Sequence, residues 1–196
     1  MNSVRNLTCF KAYDVRGKLG EELNEGIAYK IGHATAQSLK AKTVVVGFDA
    51  RATSPDLADA VTKGICDGGA DVLNIGLAGT EEMYWAVTEY TSCAGIAVTA
   101  SHNPINYNGI KIVKSQSRPL DDKKDFQSIK RIATFQDWTA KKHTGLNIDI
   151  SHEARIKYVK RVLSFINVSQ VAPIKIVINS GNGAAGPTLN VINKHL

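Results

Sequence analysis

A strand with one face in water alternates apolar and polar residues. Thr43-Val44-Val45-Val46-Gly47-Phe48 does not. Such a continuous apolar run suits a strand covered on both faces, the condition of a sheet packed between helices. The segments around it carry helical periodicity. Residues 22–39 place Leu23, Ile27, Ile31 and Ala34 on one face. Ser54-Pro55 supplies an N-cap and a first-turn proline. Leu57, Ala60, Val61, Gly64 and Ile65 continue that helix until Gly68-Gly69 stops it. A strand at 71–75 and a helix opened by Thr80-Glu81-Glu82 follow, the two acids lying where the helix dipole favours them. Strands at 96–99 and 110–113 flank a polar loop, Ala100 to Asn108. Strands alternating with helices predict an α/β fold.

The remaining chain changes character. Residues 121–143 are charged and begin as a helix with Phe126, Ile129 and Ile132 on one face. Ser151 is read as the cap of a helix carrying Ile156, Val159, Leu163 and Ile166. Pro173 precedes a predicted strand at 174–179 and a glycine-rich turn, Ser180-Gly181-Asn182-Gly183-Ala184-Ala185-Gly186; a helical pattern then starts at 188. A strand, a turn and a short helix cannot bury a core by themselves. A first domain over residues 1–145 and the opening of a second over 146–196 are therefore expected.

Composition excludes several classes. With 43% hydrophobic and 21% charged residues in 196, the chain is globular rather than disordered. No run of about 18 apolar residues suggests a membrane span. Met1-Asn2-Ser3-Val4-Arg5-Asn6 has no apolar signal core, so a cytoplasmic protein is expected. The 24 Lys+Arg against 18 Asp+Glu give a net charge of +6. The basic residues are scattered and not interleaved with aromatics, which argues against a nucleic-acid partner and leaves a solvated basic surface or small phosphorylated ligands. Cys9, Cys66 and Cys93 are odd in number and widely spaced, so neither a disulfide framework nor a zinc site is expected. Cys66 and Cys93 are read as buried small hydrophobes.

Ligands collect at the carboxyl ends of strands in α/β sheets. Thr99-Ala100-Ser101-His102-Asn103-Pro104 sits at such an end, followed by Asn108-Gly109 and Lys111. This loop offers a hydroxyl, an imidazole, an amide and a cation, enough for phosphate chemistry; a polar turn started by Asn-Pro is the structural alternative. Ser101 lacks the G-x-S-x-G elbow of a hydrolase nucleophile. Arg16, in Phe10-Lys11-Ala12-Tyr13-Asp14-Val15-Arg16-Gly17, has a planar fork suited to phosphate, or pairs with Asp14 on the surface. Asp49-Ala50-Arg51 also follows a strand, where Arg51 binds a ligand or forms a loop ion pair. Gly181, Gly183 and Gly186 match G-x-G-x-x-G, whose amides can cradle phosphate or simply make a tight connection.

Thr99-Ala100-Ser101-His102-Asn103-Pro104 resembles the phosphoserine loop of the α-D-phosphohexomutase superfamily, the phosphomannomutases and phosphoglucomutases. Tyr13-Asp14-Val15-Arg16-Gly17 is similar to its N-terminal motif, and Asn108-Gly109-Ile110-Lys111 to the element after the serine. Leu7–Glu25, Gly79-Thr80-Glu81-Glu82 and Val177–Pro187 look like bacterial phosphomannomutases of the GDP-mannose route.

The resemblance implies a three-layer α/β/α first domain with a mixed sheet, and the start of a second domain. It implies that Ser101 carries phosphate, that Arg16 and Lys111 offset its charge, that His102 handles the proton of the sugar hydroxyl, that Tyr13 lines the site and that Asn103 shapes the loop. The substrates implied are a hexose phosphate and a hexose bisphosphate, with mannose 6-phosphate and mannose 1-phosphate interconverted. The alternatives are a phosphoglucomutase or dual-specificity enzyme, and a non-catalytic sugar-phosphate-binding fragment. The implied cofactor is Mg2+, bound through the phosphate on Ser101 and a family Asp-Gly-Asp-Gly-Asp loop. That loop, the sugar-recognition loop and the family's last phosphate loop are absent from these 196 residues. Little activity is expected of this chain alone.

Overall fold

The computed structural model describes residues 6–136, 138–139, 143–181 and 183–195. The opening residues 1–5, Asp137 and residues 140–142 of the charged stretch, Asn182 of the glycine-rich turn and Leu196 lie outside the described residues. The elements in chain order are β1 (Val15–Lys18), α1 (Glu25–Ser38), β2 (Thr43–Phe48), α2 (Ser54–Asp67), β3 (Asp71–Leu77), α3 (Thr80–Glu89), β4 (Ala94–Val98), β5 (Tyr107–Lys114), β6 (Arg118–Pro119), α4 (Gln127–Phe135), β7 (Asn147–Asp149), α5 (Ser151–Leu163) and α6 (Ala185–Ile192).

The strands form one sheet in the order β1-β5-β4-β2-β3-β7, with β6 also on β5. β2, β3, β4 and β7 are mutually parallel, and β5 runs antiparallel to β4, β1 and β6. The sheet is mixed, as expected. Its central strands β2, β4 and β5 are buried on both faces because their side chains divide between two cores. Val44 and Val46 of β2, Ile96 and Val98 of β4, and Ile110 and Ile112 of β5 pack with α1, α2 and α4. Val45, Ala97 and Val113 point the other way, to Met83, Ala86 and Val87 of α3 and Ala154 of α5. The continuous apolar run of β2 is thus two alternating sets, each with its own helical layer.

Several sequence expectations need correction. The first helix starts at Glu25, not at 22, because Asn24 caps it by accepting from the Ile27 N–H at 3.0 Å. Glu22 instead closes a turn by accepting from the Lys18 N–H. Ser54 is not the cap of α2; it is its first residue, and its hydroxyl is engaged elsewhere. Ser151 likewise begins α5 rather than capping it, and its N–H donates to Asp149. In the expected apolar face of α5 only Val159 is buried, while Ile156 and Ile166 are exposed. The strand expected at 174–179 is an extended segment outside the sheet, with Ile174, Ile176, Val177 and Ile178 exposed. Intrinsic β-preference does not make a strand without a neighbouring ladder. Cys93 is half-buried rather than buried. β1, β6 and β7 are short strands that the apolar pattern did not reveal.

The connections position the site. The chain leaving β2 passes through α2 on one face, and the chain leaving β3 passes through α3 on the other. Adjacent parallel strands whose connections diverge in this way open a crevice at their carboxyl ends.

Candidate active site

That crevice is a cavity of about 850 Å³, lined by Asp49 and Arg51 after β2, Gly79 and Thr80 after β3, and Thr99, Ser101 and Asn103 after β4. Gly183 and Ala184 of the glycine-rich turn lie against it. Nothing in the local spacing places that turn beside Ser101; the fold brings them together. A second hollow of about 120 Å³ is lined by Asp14, Arg16, Thr80, Thr99, Ser101 and Lys111. Ser101 and Thr80 border both, and the positive end of the α3 dipole, at Thr80, faces them.

Register explains why distant residues meet here. In the antiparallel pairs, Val98 lies opposite Ile110, Ala97 opposite Lys111, and Arg16 opposite Gly109. Arg16 and Lys111 therefore stand beside the end of β4, where the serine loop starts. Val15, Ile110 and Ile112 point into the α1–α2–α4 core, so the two-residue period turns Arg16 and Lys111 to the α3 face. Lys111 Nζ lies 5.8 Å from the centre of the Tyr84 ring on α3. Arg16 Nε donates to Asp14 at 2.9 Å, the pairing the sequence allowed, and both residues line the hollow beside Ser101. Gly109 has to be glycine for this approach: a Cβ there would lie 2.5 Å from the Val15 carbonyl oxygen and 2.7 Å from that of Thr99.

Ser101 is exposed, with φ +53°, in the left-handed region that ordinary residues avoid. Its Oγ is 3.2 Å from His102 Nδ1. Asn103 Nδ2 donates to the Ala100 carbonyl at 2.8 Å. Tyr13 is 76% exposed and lines neither hollow beside Ser101; it borders a separate groove that it shares with Lys111 and Tyr84. The structure thus gathers Ser101, Arg16 and Lys111, keeps His102 and Asn103 on the same loop, and sets Tyr13 one groove away.

Arg51 and Asp49 form a network whose extent the sequence did not disclose. Arg51 Nη1 donates to the carbonyls of Pro104 (2.9 Å) and Tyr107 (3.1 Å), and Nη2 to those of Ser101 (3.0 Å) and Asn103 (2.5 Å). Asp49 accepts from the hydroxyls of Ser54 (2.5 Å) and Thr99 (2.6 Å) and from the Arg51 N–H (3.0 Å). The Thr99 hydroxyl in turn accepts from the Ser101 N–H at 3.0 Å. The buried Asn108 side chain donates to Thr53 and Ser54. The available signal was positional: Asp49-Ala50-Arg51 follows a strand parallel to the one that carries the serine loop.

A divalent magnesium ion needs several oxygen ligands. Among the described residues no group of three or more His, Cys, Asp or Glu side chains could hold a metal, and Ser101 alone does not make a site. The residues present do not fit the implied ion, so no chemical step is assigned to it here. Nor, among the described residues, is any helix long and apolar enough to cross a membrane.

Comparison with known proteins places this geometry. The chain is 48% identical to a phosphomannomutase of Escherichia coli K12 over 96% of its own length, and 42% identical to one of Vibrio cholerae over 97%. It spans 41–42% of the length of these curated relatives. A crystal structure of a phosphoglucomutase/phosphomannomutase family protein from Burkholderia thailandensis superposes with a TM-score of 0.82 at 29% identity, covering 99% of this chain and 42% of that one. Residues 7–139 match the family described as phosphoglucomutase/phosphomannomutase, alpha/beta/alpha domain I. On overall structure and sequence alike, the chain belongs to the phosphoglucomutase/phosphomannomutase family of phosphohexomutase enzymes.

Proposed function

We propose that this chain supplies the phosphoryl-carrying serine of a phosphomannomutase, with Ser101 as the carrier. The observation that carries the reading is the exposed Ser101 hydroxyl at the carboxyl end of β4, in one hollow with Arg16 and Lys111 and beside His102. Names of the curated relatives favour mannose phosphates over glucose phosphates as substrates.

Phosphoryl transfer depends on positioning and charge neutralisation. In the transfer step a hydroxyl oxygen of the hexose monophosphate bonds to phosphorus as the bond from phosphorus to Ser101 Oγ breaks. The proton leaving the sugar hydroxyl is handled by His102 and ends on Oγ. The Arg16 guanidinium and the Lys111 ammonium offset the charge of the moving group. The bisphosphate then reorients and returns its other phosphate to Ser101, which interconverts the 6- and 1-phosphates. Asn103 shapes the loop, and Tyr13 flanks the sugar from the neighbouring groove. A role in GDP-mannose and polysaccharide synthesis in the cytoplasm belongs to the same reading, through the family resemblance. So does the opening of a second domain within residues 146–196: the exposed apolar residues Ile174, Ile176, Val177 and Ile178 suit a strand that needs a further sheet.

Intact-mass spectrometry after incubation with mannose 1,6-bisphosphate tests the reading. The wild-type chain is expected to gain one phosphate on long incubation, slowly because the family's sugar and phosphate loops are absent from it, located on Ser101 by peptide mapping. Ser101→Ala is expected to gain none while keeping the same thermal transition. Equal phosphorylation of the variant would remove Ser101 from the mechanism.

A further inference from the structure

We propose that Arg51 is the positioning residue of the serine loop, holding Ser101 in its left-handed conformation with its hydroxyl facing the crevice. The inference rests on the reading of Ser101 as phosphate carrier, but its geometry stands apart from that reading. The Arg51 side chain is only 14% exposed. Its two terminal nitrogens engage four carbonyls of the segment between Ser101 and Tyr107, and its Nε lies 3.6 Å from Asp49. Each donor is a charged group, and charge-assisted hydrogen bonds are the stronger kind.

Ser101 is held from both sides of its own peptide units. Its carbonyl accepts from Arg51, and its N–H donates to Thr99, whose hydroxyl donates to Asp49. Asp49 and Arg51 are two residues apart and directly follow β2, so one strand end fixes the loop that leaves another. A non-glycine residue at φ +53° persists only where its surroundings over-determine it, and this pair of contacts does so. The arrangement needs arginine in particular. Its planar fork presents several donors in fixed directions, whereas lysine concentrates three donors at one point. With both terminal nitrogens turned to carbonyls, Arg51 acts through the loop and not as a ligand of the substrate phosphate.

The test uses the whole chain as wild type, Arg51→Lys and Arg51→Ala, the last with and without methylguanidinium. Two quantities are read: amide hydrogen exchange of residues 99–109, and the rate of phosphate uptake on Ser101 from mannose 1,6-bisphosphate. Both variants are expected to exchange the loop at least about tenfold faster, with β2 and β4 unchanged. Phosphate uptake is expected to slow about a hundredfold, the scale of a misplaced reacting group. Methylguanidinium is expected to restore both quantities in Arg51→Ala, which loss of packing alone would not allow. If Arg51→Ala loses the fold, Arg51→Lys decides, since it keeps the stem and the charge. Wild-type exchange in the loop, or a lysine variant as fast as arginine, overturns the proposal. If the wild-type chain itself takes up no phosphate, the functional reading of Ser101 fails, while the exchange data still decide whether Arg51 holds the loop.

Discussion

At single residues, surroundings rather than side-chain type set the chemistry. The left-handed turn at Ser101 costs roughly 1–2 kcal/mol for a non-glycine residue, and the contacts of Asp49, Thr99 and Arg51 offset that cost while presenting the hydroxyl to solvent. The three thiols differ for the same kind of reason. Burial pushes Cys9 up to about 11. Burial, then the nearby Asp67 carboxylate, raises Cys66. Burial also opposes ionisation of Cys93, but backbone N–H groups of Lys42 and Thr43 outweigh it and bring the thiol below its ordinary value. The thiolate is the reactive form, and a pKa near 11 leaves only about a thousandth of Cys9 ionised at about pH 8. Iodoacetamide at that pH is therefore expected to label Cys93 first, Cys66 more slowly and Cys9 last. Peptide mapping over time checks the order, and early labelling of Cys9 would contradict its burial.

Among the elements, α1 and α2 approach backbone to backbone through two glycines. A Cβ at Gly64 would run into the Tyr29 carbonyl oxygen, and one at Gly32 into that of Val61. The two glycines let the helix backbones meet beneath β2. Alanine has the higher helix propensity, by about 1 kcal/mol, but overpacking a tight contact costs about 1–3 kcal/mol. The steric term is expected to win, so Gly64→Ala should lower the urea midpoint of unfolding; an unchanged or higher midpoint would mean the helices can separate freely. On the other face, the buried Glu82 ties three elements together. Its carboxylate pairs with Arg155 of α5 at 3.3 Å and accepts from Thr188 of α6 at 3.1 Å. Arg155 also donates to the Leu77 carbonyl. The sequence could assign Glu82 to the first turn of α3, but not its partners, which lie more than 70 residues further on.

For the molecule as a whole, the fold brings the carboxyl ends of β2, β3 and β4 to one edge and sets Ser101 in the crevice between them. It gives the ion implied by the family no ligand set among the described residues. Binding to the folded state alone raises thermal stability in proportion to the logarithm of saturation. Magnesium chloride added to this chain is accordingly expected to leave its melting temperature unchanged apart from the small effect of ionic strength. A rise not matched by sodium chloride at equal ionic strength would reveal an ion site that the present donor set does not provide.

Local periodicity and punctuation were enough to place the helices α1 to α5, the central strands β2 to β5 and the α/β class, because apolar spacing and glycine or proline punctuation act within a few residues; the caps of α2 and α5 were misread because a serine beside a helix start can sit inside the first turn instead. The serine loop was legible too, since its hydroxyl, imidazole and amide are contiguous. Short edge strands such as β1 and β7 were not, because their pairing partners are distant and their own apolar pattern is slight. For the same reason residues 174–179, strand-like in sequence, are unpaired. Only the tertiary structure could decide that Arg16 faces Gly109, that Lys111 lies opposite Ala97 and that Arg51 reaches four carbonyls across the crevice. Register and crossover are set by the whole sheet, and no local spacing encodes which strand ends will share an edge.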